Sequence, residues 1–351
     1  MANYNAVTKV TNGEMYDSRR GIYDGIGSSV RGALTVEEAF NMANLDWTVK
    51  QDTMVRTHVA RQIINDVKVA VLEGRDTTSI IHRLEEMQIS GYKANYRELG
   101  DEDYLKTGDS VLGVVKNRYK VVQNREGLDF LNSLIGSDII CETAGSLFGG
   151  EVVWFEGRME DRILCDEVVT PYIVFSNSHN GKSSVSVAMT PHRVICANTL
   201  NLALRTSPRR WSCSHMGDIS AKLHEARTTL SNANAYMNAL EEEFGELKRI
   251  KMDEDKVWEY LKLLFPIDGS ETAKKEDWMK NARLGVYNAW NAPDLADREK
   301  SAFRFVNAVS DFATHSEPMR KTKNYQENLM WKTANGNPLI DKAYELVGAL
   351  R

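Results

Sequence analysis

Residues 170–190 read TPYIVFSNSHNGKSSVSVAMT, two runs of alternating, β-branched and aromatic residues on either side of the polar turn Ser178–Lys182. Asn180 and Gly181 tolerate the left-handed backbone that tight hairpin turns demand, so the stretch predicts an antiparallel hairpin and, with it, a protein built on a sheet. Pro191 lacks an amide proton and is expected to break the ladder; HRVICAN continues extended, and TLNLALR is expected to open a helix with Leu200, Ala203 and Leu204 inward. Arg205, Arg209 and Arg210 follow directly.

Moving towards the N-terminus, Glu151–Gly157 reads as a strand, and Phe148, Gly149 and Gly150 before it as a reversing turn. EGLDFLNSLIG reads as a short helix presenting Leu128, Leu131, Leu134 and Ile135, ended by Gly136. SVLGVVKNRYKVVQN reads as a second hairpin, with Val111–Val115 and Tyr119–Val122 as strands and Lys116–Arg118 as the turn. Helices are expected over 61–73, where Ile63, Ile64, Val67, Val71 and Leu72 would face a core and a strand is the rival reading, and over 78–88. Thr35 and Glu38 have capping-box spacing ahead of Val36, Ala39, Phe40 and Ala43, which places a helix start there. Residues 1–34 read as a glycine-turned arm; Gly25 and Gly27 form a GxG, but neither GKS nor GKT follows to complete a phosphate loop.

Beyond Asp218 the pattern becomes helical. Ile219, Leu223, Ala226, Leu230, Ala233, Met237, Leu240, Phe244 and Leu247 alternate steps of four and three, the mark of a long helix with a narrow apolar seam. That seam suits packing inside the chain, with an intermolecular coiled coil as the alternative. Further helices are expected over 255–265, 271–290, 298–315 and 338–350; in the third, Phe303, Val306, Val309 and Phe312 make a core stripe beside a polar rim of Asn307, Asp311 and His315. The fold class expected is therefore α+β: a mixed, mainly antiparallel sheet with flanking helices over 35–217, then a helical C-terminal domain over 218–351, with 1–34 as the arm.

Charge singles out the same stretch that decides the fold. The chain carries 49 acidic against 44 basic residues, a net charge of −5, which excludes a basic coat of the histone kind. Residues 168–217 nevertheless contain no Asp or Glu, and hold Lys182, Arg193, Arg205, Arg209 and Arg210, with His179, His192 and His215 as titratable additions. Lys and Arg neutralise phosphates without reading sequence, and aromatic side chains stack on unpaired bases. Tyr172, Phe175 and Trp211 lie within the basic stretch, and Tyr119 sits between Arg118 and Lys120 on the preceding hairpin. The competing reading spreads these charges along a sheet edge as protection against aggregation.

Catalytic chemistry finds less support. Cys141, Cys165, Cys196 and Cys213 include no CxxC pair and read as reduced, mostly buried thiols of a cytoplasmic protein. Cys196 in VIC has the context of an inert buried thiol, and Cys213 with His215 is the one closely spaced pair that zinc could use, short of a full ligand set. Glu241, Glu242 and Glu243 are consecutive on a helix and point in different directions. Residues 1–20 show no apolar core of signal-peptide type and nowhere do 18 uncharged apolar residues run together, so the protein is expected in the cytosol. No cofactor and no metal are expected.

NRYKVVQNREGLDFL, residues 145–154, SNSHNGK, HRVICANTLNLAL, the His215 turn and FVNAVSDFATH together resemble a family of phage- and plasmid-encoded proteins, the domain of unknown function nine-three-two. The likeness runs from about Gly25 almost to the C-terminus. It implies a protein carried by a mobile element, working in the host cytoplasm beside replication or recombination genes. The family's recurrent SHDG-like turn is here Ser178, His179, Asn180 and Gly181, with Asn in place of Asp, and its RVVCxNTL-like segment keeps Arg193, Cys196, Asn198 and Thr199. The function expected is a non-enzymatic, nucleic-acid-binding accessory protein acting on single-stranded DNA through Arg118, Tyr119, Lys120, Tyr172, His179, Lys182, Arg193, Asn198, Arg205, Arg209, Arg210, Trp211 and His215. The alternative is a host-protein-binding, oligomeric regulator; a membrane partner is not expected.

Overall fold

The computed structural model describes residues 6–11, 28–31, 34–80, 82, 88–97, 111–135, 140–193, 210–230, 233–296, 299–316, 328 and 336–349. In chain order the first part comprises β1 (Ala6–Thr11), β2 (Ser28–Arg31), β3 (Leu34–Thr35), α1 (Val36–Met42), β4 (Val49–Val55), α2 (Thr57–Leu72), β5 (Gln88–Arg97) and β6 (Val111–Lys116). It continues with α3 (Asn124–Ile135), β7 (Ile140–Leu147), β8 (Val152–Arg158), β9 (Arg162–Leu164), β10 (Glu167–Ser178), β11 (Val185–Arg193) and β12 (Arg210–Cys213). The large sheet has the order β12-β11-β10-β8-β7-β1-β2, with β3 added beside β7 and β9 beside β10; β1 and β2 are parallel and the other pairs antiparallel. A second, three-stranded antiparallel sheet runs β4-β5-β6.

The hairpin expected from 170–190 is β10 and β11, paired from Val169↔Arg193 to Ser176↔Ser186. Its connection is longer than a two-residue Asn-Gly turn: residues 179–184 form a loop in which Gly181 takes φ +73°. Pro191 does not break the ladder. It lies opposite Pro171, and Met159 N donates to Pro171 O at 2.9 Å, so the Pro171 backbone polar groups face away from β11. The two prolines therefore occupy a pair that exchanges no hydrogen bonds, where a missing amide proton costs the ladder nothing. One face of the hairpin, with Ile173, Phe175, Val185 and Val187, is buried, with α3 packed on β10, while α1 covers the neighbouring β7 and β8. Phe40 stacks on Phe155 at 5.8 Å, and Phe155 meets Phe175 at 5.9 Å.

The capping box is present: Glu38 N donates to Thr35 Oγ1 at 3.2 Å and Thr35 N donates to Glu38 Oε2 at 2.8 Å. Residues 119–122 are not a strand. β6 pairs with β5 instead, and the chain after it turns to meet the β10–β11 loop. Helix α2 forms as expected, but its inner face is Ile63 and Ala70, a seven-residue repeat; Ile64, Val71 and Leu72 lie off that line and are exposed.

The C-terminal part contains α4 (Ile219–Leu230), α5 (Ala233–Arg249), α6 (Glu254–Leu264), α7 (Ala273–Trp290), α8 (Pro293–Ala296), α9 (Ala302–His315) and α10 (Pro338–Gly348). The heptad run is helical on both sides of residues 231 and 232, which lie outside the described residues, as does 81–87 of the expected 78–88 helix save His82. Met237, Leu240, Phe244 and Leu247 of the seam are buried within the chain, where Phe244 packs edge-on against Phe303 at 4.8 Å. Helix α9 is the centre of this bundle, contacting α5, α7 and α10, and is buried from Ala302 through Ser310. Asn307 is accordingly no rim residue: it is fully buried and donates to Phe303 O at 2.8 Å. Buried Arg304 stacks on Trp290 at 4.5 Å and donates to its carbonyl, at 2.9 Å from Nε. The bundle joins the sheet at the β9–β10 turn, where Lys248 donates to Cys165 O and lies 3.6 Å from the buried carboxylate of Glu167.

Candidate functional site

The end of β10 and the loop after it are polar, yet Asn177, Ser178 and His179 are fully buried, because they form the joint between the two sheets. Buried polar groups must find partners, and here they come from every neighbouring segment. Asn177 Nδ2 donates to Val122 O at 2.7 Å, the Tyr119 hydroxyl donates to Ser178 O, and Asn95 Nδ2 donates to His179 O at 2.7 Å. His179 N donates to Glu151 O at 2.7 Å, and its ring meets Trp47 edge-on at 5.5 Å. Asn124 Nδ2 donates to Leu45 O at 2.9 Å, which leaves Asn124 Oδ1 as the acceptor facing His179 Nε2 at 2.9 Å. His179 is therefore protonated on Nε2 and presents a lone pair at Nδ1. A Cβ on Gly113 would come within 2.5 Å of Asn180 Cα, so the two sheets approach at a place only glycine allows.

Asn180 organises the tip. Its Oδ1 accepts from Ser178 Oγ at 2.6 Å and from Lys182 N at 2.8 Å, and its Nδ2 donates to Glu151. An Asp here would set two carboxylates against each other, so Asn180 is matched to Glu151.

Beside this joint lies a cavity of about 510 Å³ lined by three segments: Tyr92 with Val114–Lys116, Arg118 and Tyr119; Gly181–Ser184; and Ser214–Met216. That volume is within the roughly 300–1,000 Å³ of small-molecule sites. Lys116, Arg118 and Lys182 supply its charge, Ser183, Ser184 and Ser214 its hydroxyls, and no carboxylate lines it among the described residues. Glu151 stands just behind, 3.5 Å from Lys182 Nζ. Tyr119 and His215 form one wall, their rings stacked 4.3 Å apart with 14° between planes. His215 is fixed to the 119–122 segment twice: Lys120 N donates to His215 O at 2.8 Å, and His215 Nδ1 lies 3.0 Å from Lys120 O.

These histidines do not add positive charge, contrary to the expectation from the sequence. Burial, and then the neighbouring His215, pushes the His179 imidazole down to about 3; burial also lowers His215, against the opposing pull of the Lys120 carbonyl. Burial raises the Tyr119 phenol, which stays protonated. Cys213 is half-buried and its thiol is pushed up by burial, the reverse of an activated nucleophile.

Of the expected site residues, Arg118, Tyr119, Lys182 and His215 converge on the cavity, although up to 97 positions separate them in sequence. Lys120 is exposed on the same segment but does not line the cavity. Tyr172 is only 4% exposed within β10 and offers no stacking face; Phe175 is buried in the core, and His179 is spent on the joint. Arg210 and Trp211 lie in β12, Trp211 half-buried against the core. Arg193 closes β11, and Asn198, Arg205 and Arg209, like Cys196, lie outside the described residues. Tyr92, Lys116 and the three serines were not expected. Lys116 and Arg118 are near neighbours in sequence, a signal that could have been used; Tyr92 gave none, since only the β5–β6 register sets it opposite Lys116. Among the described residues, no three His, Cys, Asp or Glu side chains gather as metal ligands, and no helix is long and apolar enough to cross a membrane.

A family model described as Domain of unknown function (DUF932) matches residues 111–334, well over half of the chain. The chain belongs to that family. The DUF932 match opens at β6 and so takes in the whole cavity lining except Tyr92, together with the loop of β10 and β11 and the bundle through α9. No curated protein and no solved structure matches the chain.

Proposed function

We propose that this DUF932 protein binds nucleic acid, with unpaired DNA as the favoured form, and that the cavity beside the β10–β11 loop is where it does so. One observation carries the reading: Lys116, Arg118 and Lys182, from two separate segments, meet around a concavity that also holds exposed Tyr92 and, among the described residues, has no acidic lining. Three cations provide for phosphates, and an aromatic face at the rim provides for a base. Concavity favours the unpaired form, because duplex is read by elements that protrude into its grooves. The role is that of an accessory protein without catalysis, in replication, recombination or annealing of a phage or plasmid genome in the host cytoplasm. The resemblance to phage- and plasmid-encoded proteins supports that context.

Fluorescence anisotropy with labelled single-stranded and duplex oligodeoxynucleotides, at several salt concentrations, tests the reading. Each lost phosphate contact should flatten the salt dependence of log affinity by about 0.7 for single strands, so a Lys116→Ala, Arg118→Ala, Lys182→Ala triple variant should flatten it by about 2. Binding indifferent to salt, or a triple variant that binds like the parent protein, overturns it.

A further inference from the structure

The cavity does not end at its rim. Tyr92 and Lys116 are cross-strand partners on one face of the small sheet, and that face continues through Ala94↔Val114 and, past a register shift that buries Leu112 and leaves Val111 on the exposed side, to Tyr96↔Val111. Its opposite face, with Asn95 and Gly113, is turned to the β10–β11 loop. Sheet positions this apolar are ordinarily covered, yet Tyr92 is 47%, Val114 49% and Val111 57% exposed. Tyr92 and Val114 line the cavity as well as the strip, so the two surfaces are continuous. Lys116 gives the shared end a positive charge.

We infer that this strip is the continuation of the nucleic-acid site: an unpaired strand anchored in the cavity by its phosphates lays its next bases along Tyr92, Val114 and Val111 towards Tyr96. The inference rests on the reading of the cavity given above and adds to it a direction and a length. Tyr92 to Tyr96 spans four strand residues, about 13 Å, enough for the two or three bases that sheet-borne aromatics stack in other single-strand modules. Apolar and aromatic faces hold bases of any identity, because every base has a π-face, so the strip contributes affinity without sequence preference. A protein partner is disfavoured by the charge at the shared end, where Lys116, Arg118 and Lys182 call for an anion.

Length dependence separates the strip from the cavity. A thymidine octanucleotide should bind roughly tenfold or more tightly than a trinucleotide, after correction for the number of binding registers, as expected for one or more added stacked bases. Val111→Asp should abolish that gain and Val111→Ser should reduce it; Val111 is exposed and clear of the cavity lining, so Val111→Ser, which adds no charge, should leave trinucleotide binding unchanged. An octanucleotide that gains nothing over the trinucleotide, or Val111 variants that keep the full gain, overturns the strip while leaving the cavity standing. Failure of either oligonucleotide to bind at all overturns both.

Discussion

An uncharged imidazole buried at position 179 ties the stability of the joint to pH. His179 Nε2 faces the Asn124 carbonyl oxygen, and Nδ1 is buried with no hydrogen bond among the described residues, so a second proton would have nowhere to go. Burial holds the group at about 3, well below the 6.5 of an unfolded histidine, and His215 shifts the same way. With the folded value depressed, the unfolded chain binds protons that the folded one refuses once pH falls below about 6.5. For His179 stability is therefore full above that pH and declines towards pH 3 by about 1.4 kcal/mol per pH unit; the lowered His215 adds a decline in the same direction. Urea unfolding between pH 6 and 4.5 should show this slope, and His179→Gln, whatever its cost at neutral pH, should remove one histidine's share of it. An unchanged slope would show that His179 takes up its proton in the folded state. The sequence showed where this residue stands, in a turn between strands, but not that the turn is buried. Burial depends on Asn95, Tyr119 and Asn124, each at least 55 positions away.

Helix α3 lies so close on β10 that its glycine cannot be replaced. A Cβ on Gly127 would come within 2.4 Å of the Phe175 ring, and in α7 a Cβ on Gly285 would come within 2.6 Å of Phe312. In an open helix Gly→Ala stabilises by about 0.5–1 kcal/mol. Here overpacking against a buried ring costs about 1–3 kcal/mol, so the sign reverses and both Gly127→Ala and Gly285→Ala should lower the melting temperature. A rise at either position would mean that the ring gives way more easily than the core density implies. At this scale the sequence was informative where an element makes its own pattern. The capping box at Thr35, the helix at 124–135, the strand at 152–158 and the β10–β11 hairpin were all legible. Tyr119–Val122 misled because Tyr119, Val121 and Val122 are the aromatic and β-branched residue types of a strand, although Tyr119 and Val122 are buried outside any ladder. Their partners are the β10–β11 loop and His215, contacts that no local pattern encodes. The cavity was legible in the same partial way: Lys182 stood out in composition and Arg118 beside Tyr119, whereas Lys116 was missed and Tyr92 came in through strand register.

For the molecule as a whole the question is whether sheet and bundle unfold together. One cluster of buried apolar side chains runs from Phe40 and Phe155 on the sheet through Phe244 to Phe305 and Val309 in α9, with no apolar gap at the change of texture near residue 217. Lys248 sits on that seam, its ammonium 3.6 Å from the buried Glu167 carboxylate, above the Phe303 ring and bonded to Cys165 O. Removing the cation from a buried carboxylate costs up to about 3 kcal/mol, since the remaining charge keeps its desolvation penalty. A continuous core should transmit that loss to both halves. Native-state hydrogen exchange should therefore give β10 and α9 the same opening free energy, and Lys248→Met should lower both by the same amount. If Lys248→Met strips protection from β10 while α9 keeps its own, the continuous cluster is not a cooperative unit, and the chain folds as two bodies that meet at Lys248.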